Sequence, residues 1–236
     1  MDVEAILKEY GQNKAPKKRR RGMLGRVLCI VLCAVLVCAL VLSVGLLRGR
    51  EIYNLIRFGV RTVHSPNDAD GDWIDDYTDL MLSARRYVRT QPEYVSAYFG
   101  GGYPPEGQGV CTDVIWRALA DCGYDFKTML DQDIAKNAKA YPLPNGTPDA
   151  NIDFRRVVNL QVYFERHGQV LTTDVSRIEE WQPGDLVFYE GHVAVISDIR
   201  NADGQPWIIH HTGHGAFEED ALTYHKITGH YRWTGE

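Results

Sequence analysis

Cysteine is scarce in this 236-residue chain, and most of it is badly placed for crosslinking. Of five cysteines, Cys29, Cys33 and Cys38 lie inside one apolar run, which leaves Cys111 and Cys122. That count excludes a small fold stapled by disulfides. If the remaining two share a helix, eleven residues place them ~16 Å apart, too far for a bridge, so two unpaired thiols are expected. Internal repeats and low-complexity tracts are also lacking, and with 44% hydrophobic residues the composition is that of an ordinary folded chain of one or two domains. Basic residues run short beyond position 50, with sixteen Lys/Arg against twenty-eight Asp/Glu. So acidic a region excludes nucleic acid as its partner, because phosphate binding needs clustered positive charge.

The first fifty residues have the opposite balance, ten basic against three acidic. Within them, residues 27–47 (VLCIVLCAVLVCALVLSVGLL) carry no charge. As a helix these 21 residues would span ~31 Å, enough for a hydrocarbon core of ~30 Å. Lys17, Lys18, Arg19, Arg20, Arg21 and Arg26 precede the run. Positive charge on that side predicts a cytoplasmic tail (1–26), a signal anchor (27–47), and a chain that faces outward from the cell membrane. A cleaved signal peptide is the alternative, but its apolar region is usually ~7–15 residues, and Arg48-Gly49-Arg50 makes a poor cleavage site. The three cysteines of the run read as small apolar filler.

Outside the run, 48–66 reads as a juxtamembrane stem and 67–236 as the outer domain. Helical spacing of Ile74, Tyr77, Met81, Ala84 and Val88 predicts a first helix, and Val110, Val114, Ile115, Ala118 and Leu119 a second that stops near Gly123. Further helices are expected near 126–138 and 153–167. β-prone runs then follow at 169–173, 186–189, 193–198, 207–210 and 230–233, parted by QPGD, YEGH and NADG turns. Helices first and consecutive strands after predict an α+β domain, its helices packed on one antiparallel sheet.

Cys111 ends a glycine-rich loop (FGGGYPPEGQG) and opens a helix, where free N–H groups and the helix dipole favour thiolate. A buried structural thiol is the bland reading of the same position. His192 opens one short strand and His210 closes the next. In an antiparallel pair those ends are neighbours, so His210 could orient the His192 imidazole as general base for the thiol. Arg155 and Arg156 are candidates to hold a peptide carboxylate, or else to pair with a local acid such as Asp153. Asp113 is either a helix-start acid or a substrate contact. Tyr98, in the aromatic and glycine-rich stretch ahead of Cys111, is a further candidate contact.

These residues also carry a resemblance. Tyr94–Val114, Pro183–Asp198 and Ile208–Thr212 resemble the NlpC-type branch of papain-like cysteine peptidases, in which a helix-opening Cys is followed by PGD and GH strand motifs. More specifically, "GVCTDV", "NIDFRRVVNL", "GHVAVISD", "IIHH" and "ITGHYRW" are similar to the domain-of-unknown-function family 1287, across roughly 66–233. The resemblance implies a papain-like fold in which Cys111 is nucleophile, His192 base and His210 orienting residue. It also implies a partner, peptidoglycan or a related cell-wall peptide cut at an amide bond, with no cofactor required for catalysis. The serine and glycine that usually follow such a cysteine are Thr112 and Asp113 here. The rival is a catalytically silent cell-wall-binding module of the same fold.

Two metal readings remain. His192, His210, His211 and His214 invite zinc, but adjacent strand residues 210 and 211 point to opposite faces, and no H-E-x-x-H helix accompanies them. Asp68, Asp70, Asp72, Asp76 and Asp79 follow the 1, 3, 5, 9, 12 spacing of a calcium loop. Trp73 replaces the usual glycine at the sixth position, and a solvated acidic stretch with helix-start acids fits the same spacing.

Overall fold

The computed structural model describes residues 19–235, with the side chains of 25–39, 41, 45 and 48 onward described in the first helix. The chain divides into two compact units, Met1–Gly49 and Arg50–Glu236. Helix α1 (Arg19–Phe58) includes the 27–47 run. Among the described residues no helix is long and apolar enough to cross a membrane. The side chains of residues 40, 42–44 and 46–47 of the run, and the whole tail up to residue 18, lie outside what is described.

The second unit starts earlier than the expected boundary at 67, because the stem is tied to the domain at a few buried points. Asn54 is buried and donates to the Asp198 carbonyl (2.9 Å), while the Gln182 side chain accepts the Val63 N–H (3.0 Å). Then come α2 (Asp76–Arg89), the short parallel pair β1 (Glu93–Tyr94) and β2 (Gln108–Gly109), α3 (Cys111–Asp121) and α4 (Phe126–Asn137). A 3₁₀ turn at Asp153–Arg155 leads into α5 (Val157–His167). Strands β3 (Gln169–Val170), β4 (Leu186–Tyr189), β5 (His192–Arg200), β6 (Pro206–Thr212), β7 (Gly215–Glu219) and β8 (Ile227–Arg232) complete the chain. They form one antiparallel sheet in the order β3-β8-β4-β5-β6-β7. The domain is therefore α+β, as the order of elements predicts. Sequence reading misses β7, whose pairing with β6 closes through Gly213-His214 at a tight hairpin.

Strand parity sorts the sheet into two faces. Leu186, Phe188, Val193, Val195, Ile209 and Ala216 pack against the helices, in one core that contains Cys111, Leu119, Phe126 and Phe164. Val187, Tyr189, Ala194, Ile196 and Ile208 face the other way, under Trp181, Ala221 and Leu222. The PGD turn locks the layers together. Gly184 has φ +86°, and a Cβ there would collide with the Tyr77 carbonyl at the start of α2. Gly184→Ala combines left-handed strain with that collision and should cost ~2–3 kcal/mol, read as a lower urea midpoint at unchanged slope.

Candidate functional site

Cys111 is the first residue of α3, where Val110 is the extended N-cap. The Asp113 carboxylate accepts the Val110 N–H (2.7 Å) and the Trp116 Nε1–H (2.6 Å). Arg155 then clamps Asp113 with two bonds of 2.8 Å and donates a third to the Ala97 carbonyl (2.9 Å). Both side chains are buried, 2% and 0% exposed. Asp113 is thus the helix-start acid, and Arg155 is committed to fixing the helix start against the 97–99 loop. Neither is free to contact substrate, a correction to that expectation with a plain cause: each is the other's counter-charge. Arg156 stays one-third exposed beside Asp153 (3.3 Å), the local ion pair that is the alternative to a substrate contact. Tyr98 is exposed, and its hydroxyl bonds with Asp149 and Asn151.

Burial pushes the Cys111 thiol up to about 11, opposed by the nearby N–H groups of Val193, Thr112 and Cys111 itself. Val193, whose N–H opposes the shift most, directly follows His192. Cys122 is also a free buried thiol, so the expected absence of a Cys111–Cys122 bridge holds.

His192 and His210 meet as expected, through Nε2 and Nδ1 at 2.9 Å. Their alignment comes from a residue the sequence did not flag, Glu219 on β7, whose carboxylate lies 2.9 Å from His210 Nε2. An ionised carboxylate only accepts, so His210 donates from Nε2 and its Nδ1 must accept. His192 therefore donates from Nε2 and presents the lone pair of Nδ1. The only sequence signal for Glu219 is parity: it lies on the same side of the β6–β7 hairpin as His210. Burial holds both rings low, His192 at about 4, with neighbouring histidines depressing it further. At neutral pH His192 is a neutral base.

The pair lies on the sheet face away from the helices, with His192 stacked on Tyr189. It lines a cavity of about 550 Å³, walled also by Tyr94, Phe217 and Tyr224. Cys111 belongs to the helix-side core. The thiol and the His192 ring thus sit on opposite sheet faces, adjoining only at the start of β5, and among the described residues no hydrogen bond joins them. Parity is the reason: His192 points with Ala194, whereas Val193 points toward Cys111.

The metal expectations separate similarly. Among the described residues, Asp68, Asp70 and Asp72 are the only three potential ligands whose atoms all lie within 4.8 Å of one another. Their oxygens accept backbone N–H groups of residues 71–74. Asp76 and Asp79 turn inward instead, Asp76 to the Tyr124 hydroxyl and Asp79 to Ser83 (3.4 Å), so the five acids do not form one loop site. The histidines do not converge on one point either.

Comparison with known proteins places these features in context. DUF1287, described as a domain of unknown function, matches residues 81–233. The uncharacterized protein YijF of Escherichia coli (strain K12) is 40% identical over 149 residues, covering 60% of this chain and 72% of that protein. No solved structure matches.

Proposed function

The chain belongs to the DUF1287 family, and from that premise we propose that its outer domain is a papain-like, thiol-dependent hydrolase of an amide bond in peptidoglycan or a related cell-wall peptide. One observation carries the reading: the Glu219–His210–His192 chain fixes a neutral imidazole at the start of β5, and the next residue, Val193, lies by Cys111 at the start of α3. Cys111 attacks the carbonyl carbon. His192 serves as general base and acid through Nδ1, and His210 holds the ring. The N–H groups at the start of α3 are placed to stabilise the oxyanion. The 27–47 run anchors the chain as a single-pass helix, N-terminus inside, with its domain facing the wall.

A second reading has its own support. A thiol buried and pushed up to about 11, with no bonded imidazole, also suits a silent wall-binding module. Incubating the full-length protein and its Cys111→Ala variant with purified peptidoglycan separates the two. Hydrolysis predicts new amines and muropeptides from the wild type alone. Sedimentation of both proteins with the wall, and no product from either, would establish the binding module instead.

A further inference from the structure

His211 is fully buried, yet neither of its ring nitrogens has a hydrogen-bond partner. A buried orphan imidazole is costly and calls for a use. Parity turns His211 away from its neighbour His210 and onto the helix-side face, the face of Cys111. Val195 pairs with Ile209. Carried two residues beyond that pair, the same register sets Val193 across from His211, and Val193 is the residue whose N–H lies by the Cys111 sulfur. Tyr94 closes the arrangement. Its ring meets His211 edge-on, with centroids 5.2 Å apart, and its hydroxyl is close enough to Cys111 to sense a charge there.

We propose that His211 is the residue that removes the Cys111 proton when the sulfur attacks. The inference rests on the thiol-hydrolase reading and changes one of its steps. The S–H bond breaks, its electron pair becomes the S–C bond to the substrate carbonyl carbon, and the proton goes to a His211 ring nitrogen. The C–N bond then breaks and the amine leaves with the proton that His211 returns, so His192, neutral on the cavity face, is left to take a proton from the water that releases the acyl group and to return it to the departing sulfur. The imidazolium that forms has support in place: the Asp113 carboxylate, and the Pro92 carbonyl, which lies close without completing a hydrogen bond. The charged or titrating groups facing the pair are Asp113 on α3, Arg155 on the 3₁₀ turn and Tyr94 on β1, with His210 across the sheet. Burial keeps His211 neutral near pH 7, which a proton acceptor requires.

Iodoacetamide alkylation of Cys111 in the full-length protein, followed by mass spectrometry of its peptide, tests this without turnover. With a buried base the wild-type rate rises only shallowly between pH 7 and pH 10, because His211 replaces hydroxide. His211→Gln should slow the reaction at pH 7 by ~100-fold and leave the rate at pH 10 unchanged, so the ratio of the two rates moves while accessibility cancels. His192→Gln should keep the wild-type ratio. A tenfold rise per pH unit in the wild type overturns the inference with no variant required. Loss of the ratio in His192→Gln but not His211→Gln also overturns it, while sparing the hydrolase reading. That reading falls separately if Cys111→Ala still releases muropeptides.

Discussion

Arg155→Ala is expected to destabilise the domain by ~3–5 kcal/mol, because it strands the Asp113 carboxylate as an uncompensated buried charge. The arginine also packs on Phe99 and holds the Ala97 carbonyl, so its loss frees the loop that leads toward Cys111. Urea unfolding at pH 7 measures the effect. Pairing Arg155→Ala with Asp113→Asn should recover part of the loss, since the stranded charge is then gone. If Arg155→Ala keeps the wild-type midpoint and only raises KM for a peptide, the residue binds carboxylate after all. Thr112 donates to the Arg155 carbonyl (3.1 Å), which ties the same turn to α3 by a second, uncharged bond. Thr112→Ala should therefore cost far less.

Acid should weaken the fold within a window set by His192. Its folded pKa is about 4, against 6.5 for the free side chain. Below pH 6.5 the unfolded chain takes up a proton that the folded chain refuses, so stability falls with pH from about 6.5 to about 4. At ~1.36 kcal/mol per unit the full shift is ~3 kcal/mol, reduced to ~2 because the ring is not fully enclosed. Above pH 6.5 the contribution is complete and flat. His210 and His211 are shifted in the same direction and add to the slope. Unfolding free energies at pH 7, 5.5 and 4.5 for wild type and His192→Gln give the check. The variant should lose about one proton's worth of slope in that window. Identical slopes would mean that His192 titrates normally.

Much of this molecule is legible along the chain, because its signals are local. The 3.6-residue period places α2 and α3 close to their observed ends, and the turn residues of QPGD, YEGH and NADG mark where strands stop. The meeting of His192 and His210 is also readable, since the start of one strand and the end of its antiparallel neighbour must be adjacent. The stem is different. Nothing in residues 50–66 announces that Asn54 will be buried against Asp198, because that contact joins positions 144 apart in sequence.

Period two fixes one thing from sequence alone: His210 and His211, being adjacent on a strand, serve opposite faces. Sequence also fixes that Cys111 opens a helix and that the helices precede the sheet. It does not fix which face the helices cover. Tertiary packing settles that by burying Val193, Val195 and Ile209 in one core with Cys111, which leaves His192 with His210 and Glu219 on the other face. It likewise turns Arg155 from a candidate ligand into the counter-charge of Asp113. The reason is physical: parity is a property of each strand, but the choice of inner face belongs to the sum of apolar area that all strands and helices bury together.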